Sequence, residues 1–345
     1  MTANDPGRVA PGSSAAGRIA KAELHVHLEG TVGPDLIRRL AAGHGIALPD
    51  DLFAGDRGYR WSDFVVFLRV YDAVSGVIRT IDDYRLVTRA YLEGLAVEGA
   101  IYAELTVSPD HAAAAGLNYA DQLAGIAQGV EEARAATGIE ARLIVVGVRH
   151  RGVAAVMDVA RRVVAEPHPL VTGFGLVGDE ANWPPGLFAE AFRAAAEEAG
   201  LACTVHAGEW AGPDSIRAAL ALPVTRLGHG VRAIEDPDLV AEIAERGIVL
   251  EVCPGSNVAT GLYPDRSRHP FPALRDAGVR VTLNSDDPPY FDTSLGREYA
   301  EAAALYGLED DDLLGLTRTA IAAAFVDDAT RARLLDRLDE AGATA

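Results

Sequence analysis

Two histidines stand one residue apart in the stretch ELHVHLEG, which covers residues 23–30. Residues two positions apart on a β-strand point the same way, so the spacing places His25 and His27 on one face of a strand. Neutral imidazoles are common zinc ligands, and two of them side by side could form half of a metal site. Taken alone, the motif also fits two satisfied polar residues at the end of a strand.

More polar side chains end other apolar, strand-like runs. His206 ends one in VHAGE, His229 ends another in LGHG, and Asp286 and Asp287 follow a third in NSDDP. Zinc in a catalytic site takes three protein ligands, often histidines with a carboxylate, keeps a position for water, and can expand to five ligands when the water is included. We therefore predict one zinc ion per chain, held by four ligands: His25, His27, His206 and Asp286.

The remaining polar residues suit acid–base chemistry on a water whose pKa a zinc ion lowers to near ~7. Glu209, three residues after His206, is predicted to be a general acid or base. The alternative for Glu209 is a carboxylate placed near the start of a helix. His229 and Asp287 are predicted to orient the water and take its proton, and Asp287 could instead be a turn residue before Pro288.

These residues can act together only if the strands that carry them end at one place. Short apolar runs alternate with segments of helical spacing, which predicts parallel βαβ units. Eight such runs favour a closed (β/α)8 barrel of the TIM type, in which every strand opens on the same mouth. An open doubly wound sheet is the alternative, but no Gly-rich phosphate motif follows the first strand. The predicted strands cover residues 22–27, 101–107, 142–148, 170–177, 201–206, 224–229, 247–253 and 279–285.

About seventy residues separate the first two predicted strands, and they contain three helical patterns. An insertion after the first strand of a barrel lies on the face that carries active sites. We interpret it as a lid that brings Trp61, Phe64, Phe67 and Leu68 toward a ligand, although any one of these could be ordinary helix core. Further helices follow the eighth strand. Residues 1–18 are predicted to be a disordered tail, and residues 19–345 a single domain.

The composition narrows the choice of partner. Fifty acidic residues stand against 31 Lys and Arg, for a formal net charge of −19, and such a surface repels nucleic acid and anionic membranes. No apolar run is long enough to span a membrane. Cys203 and Cys253 both lie in apolar runs, which predicts buried thiols, no disulfide framework and a cytoplasmic location. A small neutral or cationic ligand is expected, and the oligomeric state is left open.

The motifs KAELHVHLEG, HAGE, RLGHG and NSDDP, in this order, resemble those of the adenosine/adenine deaminase family of zinc-dependent amidohydrolases. The resemblance implies that water adds to the amino-bearing carbon of a 6-aminopurine and that ammonia leaves. It implies that Glu209 protonates the neighbouring ring nitrogen, while His229 and Asp287 position and deprotonate the water. Gly178 in GLVGDE would contact the purine through its backbone, and His27 and Asp287 would also face the substrate.

One departure concerns the substrate. The adenosine enzymes usually have Asp two residues after the second histidine, where it contacts the ribose, whereas this chain has Glu29. Glu29 and NSDDPPYF resemble the adenine deaminases, while VGDE, RLGHG and YAEL…SP resemble the adenosine enzymes. Adenosine or a 5′-modified adenosine is the favoured substrate at this stage, and free adenine is the alternative. A purine-binding barrel without activity is disfavoured, because all four ligands and Glu209 are intact.

The other histidines are assigned no role. His269 in particular adjoins a proline in what the sequence suggests is a surface turn.

Overall fold

Eight parallel strands form a barrel in the computed structural model, which describes residues 19–56 and 58–342. Each strand pairs with the next one along the chain, as the alternation of apolar runs and helices predicts. The (β/α)8 prediction is confirmed, and each predicted strand overlaps an observed one. The strands are β1 Lys21–His27, β2 Ala100–Val107, β3 Glu140–Val148, β4 Val171–Val177, β5 Ala202–Ala207, β6 Arg226–His229, β7 Val249–Val252 and β8 Arg280–Leu283.

The barrel closes where the chain beyond β8 meets β1. The backbone N–H of His27 donates to the carbonyl of Asp286 at 3.1 Å, and the N–H of Asp286 donates to the carbonyl of His25 at 3.1 Å. Below this bridge, the N–H of Leu24 donates to the Oδ1 of Asn284 at 2.9 Å. A predicted metal ligand is therefore also part of the seam that closes the sheet.

Fifteen α-helices surround the described part of the barrel. They are α1 Pro34–His44, α2 Phe64–Ser75, α3 Ile81–Val97, α4 Pro109–Ala114, α5 Tyr119–Thr137, α6 Val153–Ala165, α7 Ala189–Arg193, α8 Pro213–Leu220, α9 Pro237–Arg246, α10 Pro254–Ala259, α11 Phe271–Asp276, α12 Pro288–Phe291, α13 Leu295–Tyr306, α14 Asp310–Ala323 and α15 Asp328–Gly342. The helical segment after β4 is composite: a 3₁₀ turn precedes α7, and a π-helical turn over Ala194–Glu198 follows it.

The long segment between β1 and β2 divides into two parts. Helix α3 packs against α5, and glycines on α5 allow a close approach: an added Cβ at Gly129 would lie 2.6 Å from the carbonyl oxygen of Arg85. Helix α3 is thus the ordinary crossover helix between two neighbouring strands. The insertion itself is shorter than the sequence suggested, and its main parts are α1 and α2.

Helix α2 begins after Asp63, whose side chain accepts hydrogen bonds from the N–H groups of Val65 and Val66 at 3.0 Å. Such a cap satisfies two of the free donors at a helix start. The aromatic rings of Phe64 and Phe67 stack at a centroid distance of 6.0 Å. Because Phe67 also stacks on Phe291 at 5.5 Å, α2 is fixed to the segment that follows β8.

The opposite end of the barrel is covered by the segment between α14 and α15. The ring of Phe325 lies 3.5 Å from the guanidinium carbon of Arg226, which is buried at the start of β6. The Nη1 of Arg226 donates to the carbonyl of Ala323 at 3.0 Å. The barrel is therefore open only at the mouth toward which the strands run. The predicted tail, residues 1–18, lies outside the described residues, and the single-domain boundary stays a prediction.

Candidate active site

A cavity with about 730 Å³ of empty space lies at the carboxyl ends of the strands, beneath α2. The strand-end residues predicted for chemistry line its floor, except His25, which lies beneath it. The wall opposite contains Phe64, Phe67 and Leu68, as predicted for the insertion. Trp61 lies behind this wall instead: its Nε1 donates to the carbonyl of Tyr290 at 3.1 Å, and its ring packs edge-on against Phe67.

The four predicted ligands converge at the floor of the cavity. His25, His27, His206 and Asp286 each offer a ligand atom, and these atoms all lie within 4.8 Å of one another. The Nε2 atoms of His27 and His206 are 3.3 Å apart, and the Nε2 of His27 lies 3.2 Å from Asp286 Oδ1. The Nε2 of His25 is buried without a hydrogen-bond partner among the described residues. Three converging imidazoles and a carboxylate are a ligand set that fits a divalent metal ion. A metal ion would also give the buried Nε2 of His25 the partner that it lacks.

Two of the four predicted ligands, His206 and Asp286, have protonation states that suit a metal. Burial and the neighbouring histidines keep the pKa of His206 well below its usual value, so its imidazole is neutral. The hydrogen bond from His27, together with the neighbouring histidine charges, lowers the pKa of Asp286 although burial on its own would raise it. Neutral imidazole and ionised carboxylate are the forms that bind metals.

His25 is held by a buried ion pair on the side away from the cavity. Its Nδ1 lies 2.8 Å from Glu251 Oε2, and Glu251 Oε1 accepts from Arg226 Nε at 2.7 Å. Burial alone would raise the pKa of Glu251, but Arg226 and His25 outweigh burial and lower the pKa below its usual value. The carboxylate is therefore ionised. A proton therefore resides on Nδ1 of His25, and the Nε2 lone pair points to the ligand cluster. This carboxylate–histidine arrangement is usual at metal sites.

The loop that carries Glu209 is fixed by a second buried carboxylate, Glu180. Its oxygens accept from four consecutive backbone N–H groups, those of residues 208–211, and from Ser215 Oγ at 2.5 Å. Burial and the negative charges of Asp286 and Glu180 raise the pKa of Glu209 well above its usual value. A buried carboxylic acid that keeps its proton near neutral pH can donate it to a ligand.

Asp287 and His229 stand beside the ligand cluster. Burial and the neighbouring Asp286 raise the pKa of Asp287, and its Oδ1 has no hydrogen-bond partner among the described residues. His229 Nε2 lies 3.6 Å from Glu209 Oε2 and 3.8 Å from Asp286 Oδ2. His229 and Asp286 both adopt positive φ, 61° and 64°. Non-glycine residues in this strained region cluster at functional sites.

Glu29 lies in the cavity wall and is almost wholly buried. Its Oε1 accepts from Tyr84 OH at 3.2 Å, the Ser108 N–H at 3.3 Å and Gln122 Nε2 at 3.3 Å. Burial raises the pKa of Glu29. The carboxyl group is thus fixed by one oxygen, while the residue borders the space that a ligand would fill.

Gly178 also borders the cavity, with φ of 96°, a conformation that favours glycine. A Cβ at this position would lie 2.6 Å from Nδ1 of His150. The backbone can therefore approach a ligand here, as the prediction for Gly178 requires.

Sequence reasoning missed several residues that hold this site together. For Glu180 the available signal was its place in GLVGDE, two residues after Gly178. For Glu251 the signal was a single acidic residue inside the apolar run GIVLEVC. His269 lies buried next to Asn257 and not in a surface turn, so that prediction is wrong. Its partner comes from a different part of the chain, a contact that one sequence does not show.

Comparison with known proteins identifies the family. A sequence model described as adenosine deaminase matches residues 20–341. An adenine deaminase from Chelativorans sp. (strain BNC1) is 52% identical over 321 residues, which cover 93% of this chain and 98% of that protein.

No helix among the described residues is long and apolar enough to cross a membrane.

Two solved structures share the whole fold. The crystal structure of adenine deaminase from Arthrobacter aurescens superposes with a TM-score of 0.87 at 33% identity, covering 93% of this chain and 98% of that one. An amidohydrolase from Burkholderia ambifaria with bound Zn gives a TM-score of 0.86 at 29% identity, covering 98% and 96%. The cluster of histidines and aspartate in this chain agrees with a divalent metal. The chain therefore belongs to the adenosine deaminase family, and its reaction is the deamination of a 6-aminopurine.

Proposed function

We propose that this protein is a zinc-dependent adenine deaminase, which converts adenine and water into hypoxanthine and ammonia. The observation that carries the choice of adenine is the 52% identity, over nearly the full length of both chains, to a protein named adenine deaminase. Glu29, which the sequence resemblance links to the adenine enzymes, supports it. The relatives thus favour the alternative substrate over the adenosine that the motifs favoured.

The lining of the cavity supports a small neutral ligand. Among the described residues it contains histidines and carboxylic acids but neither Lys nor Arg. Phosphate groups are usually bound by Arg or Lys, or by several backbone N–H groups at a helix start. A purine base fits this lining better than a nucleotide does.

Glu29 gives a chemical reason for the preference. Free adenine carries an N–H on its five-membered ring at the position where a sugar would be attached, and adenosine has no proton there. A carboxylate whose Oε1 is already occupied by three donors is positioned to accept this N–H through its other oxygen. We propose that Glu29 recognises the unsubstituted base in this way, with Gly178 and His27 contacting the purine ring.

For the metal we propose one zinc ion per chain, held by His25, His27, His206 and Asp286. When bound, zinc would supply a hydroxide nucleophile by lowering the pKa of a water to near ~7. The chain's own groups do the rest. Glu209 donates its proton to the ring nitrogen next to the amino-bearing carbon, which makes that carbon electrophilic. His229 and Asp287 orient the attacking water, and one of them accepts its proton and passes it to the amino group, which leaves as ammonia.

The activity is tested with a panel of adenine, adenosine, 5′-modified adenosines and AMP, followed by ultraviolet absorbance. We expect adenine to have the highest kcat/KM and AMP to be inert. Adenosine remains the second candidate because VGDE and RLGHG resemble the adenosine enzymes. A higher kcat/KM for adenosine than for adenine would overturn the proposal.

The role of Glu29 is tested by shortening it. Glu29→Asp keeps the charge but withdraws the carboxylate, so we expect the ratio of kcat/KM for adenine over adenosine to fall. A hydrogen bond to a charged group is worth about 1.5–3 kcal/mol, or about ten- to a hundredfold. The zinc content should stay the same, because Glu29 is not a ligand. An unchanged ratio would show that Glu29 does not read the base.

A further inference from the structure

A chain of three hydrogen bonds leads from a backbone N–H into the active site. The N–H of Phe271 donates to Nδ1 of His269 at 3.1 Å. Nε2 of His269 lies 3.1 Å from Oδ1 of Asn257, and Nδ2 of Asn257 lies 3.2 Å from Nδ1 of His229. All three side chains are buried. The chain connects α11 and α10 to the end of β6.

The first donor fixes the direction of every bond that follows. A backbone N–H can only donate, so Nδ1 of His269 must be an acceptor without a proton. Burial lowers the pKa of His269 to about 3, so its ring is neutral and carries its one proton on Nε2. That proton is donated to Oδ1 of Asn257, and the amide must then present its NH₂ group to His229. Nδ1 of His229 is therefore an acceptor.

We propose that Asn257 and His269 are positioning residues that hold His229 in the tautomer with its proton on Nε2. This inference rests on the proposed deamination only for its consequence in the reaction. Nε2 is the nitrogen that faces Glu209 and Asp286. A neutral His229 in this tautomer can donate a hydrogen bond to the attacking oxygen but cannot take a proton from it. The proton of the water then goes to Asp287.

A packing role alone does not explain the pair. An amide and an imidazole buried between α10 and α11 would be replaceable by apolar groups of the same shape if their only task were to fill space. Each of their ring nitrogens and amide atoms instead takes part in a hydrogen bond, and all the donors point toward the active site. The last donor, Nδ2 of Asn257, contacts His229. With the Asn257 amide in the opposite orientation, its NH₂ group would face the N–H of His269. Its oxygen would then face the unprotonated Nδ1 of His229.

The decisive measurement is the tautomer of His229 in the intact protein. Protein labelled with ¹⁵N-histidine is studied by two-dimensional NMR in the zinc-loaded and metal-free forms, with the His229 signals assigned from a His229→Gln variant. We expect a protonated Nε2 and an unprotonated Nδ1 for His229 in both forms. A proton on Nδ1 of His229 would overturn the proposal. This reading needs no substrate, so it holds even if adenine is not turned over.

A matched pair of variants tests the role of His269. His269→Gln retains an N–H that can donate to Asn257, whereas His269→Leu has similar size and no donor. We expect His269→Leu to show both tautomers of His229. Its kcat should fall about ten- to a hundredfold, which is the usual cost of losing a group that orients a residue of the site. KM and zinc content should stay near those of the wild type, and His269→Gln should retain most of kcat.

An unchanged tautomer in folded His269→Leu would overturn the proposal, as would an equal loss of kcat in both variants. If His269→Leu does not fold, the wild-type spectrum still decides.

Discussion

At the scale of single residues, the site is built from carboxylic acids in opposite protonation states. Asp286 is kept ionised by the histidines around it, while burial and like charges keep the proton on Glu209. Their environments thus suit two acids of one cavity to different proposed roles, Asp286 to that of a metal ligand and Glu209 to that of a proton donor. The loop of Glu209 owes its position to Glu180, which binds four consecutive N–H groups.

The first prediction concerns this proton donor. Glu209→Gln keeps the size of the side chain but cannot deliver a proton, so we expect kcat to fall by about 10²–10⁴. The metal should remain, because Glu209 is not among the four ligands. Elemental analysis and steady-state kinetics on the same preparation check both statements. Loss of the metal in this variant would show that Glu209 is a ligand.

The second prediction concerns Gly30, which follows Glu29 at the mouth of the barrel. A Cβ at Gly30 would overlap Oδ1 of Asp287, whereas a Cβ at Gly33 would meet nothing within 4 Å. We therefore expect Gly30→Ala to displace Asp287 and to abolish most of the turnover, and Gly33→Ala to behave like the wild type. Equal activity of the two variants would mean that Asp287 can move without consequence.

At the scale of elements, the sequence predicts best where periodicity is strong. All eight strands are evident from apolar runs, and α9 ends at Arg246, directly before the glycine in the sequence pattern that predicts its end. The limits of the insertion were not predictable, because the pattern of α3 does not show that it packs on α5. The same holds for His269, whose burial depends on a partner twelve positions away in another helix. Whether such a residue is buried depends on packing between separate elements, and the local sequence pattern carries no information about that packing.

The third prediction tests the close packing of α3 on α5. A Cβ at Gly125 would overlap the carbonyl oxygen of Ile81, so we expect Gly125→Ala to lower the free energy of unfolding by about 1–3 kcal/mol. Gly315 in α14 is the control, because a Cβ there meets nothing within 4 Å. Gly315→Ala should raise stability by about 0.4–1 kcal/mol, since alanine suits a helix better than glycine. Denaturant unfolding of both variants provides the comparison.

At the scale of the whole molecule, the barrel brings residues from both ends of the sequence into one site. The four predicted metal ligands lie on β1, on β5 and just beyond β8; three of them are buried, and His206 is partly buried. The convergence of these four residues was predictable from the sequence once the strands were placed. The roles of Glu251 and Arg226 were not predictable, because one sequence does not show that these two charged residues in apolar strand runs contact each other and His25.

The fourth prediction follows from this arrangement. Because the ligands are brought together only in the folded barrel, a metal that binds them stabilises the fold by mass action. We expect removal of the metal with a chelator to lower Tm, and added Zn²⁺ to restore it. At a free metal concentration of 100 Kd the effect is about 2.7 kcal/mol. The Asp286→Asn variant serves as control, and its Tm should respond much less to the chelator.

The seam between β1 and β8 also sets an order of events during biosynthesis. Leu24 and Asn284, which meet across it, are 260 positions apart. The ribosome releases His25 and His27 well before Asp286. A nascent chain therefore exposes three imidazoles without their carboxylate partner until the final strand is docked. A chain that stalls before residue 286 therefore carries three of the four proposed ligands, and loading with the proposed metal ion would have to follow synthesis of that segment.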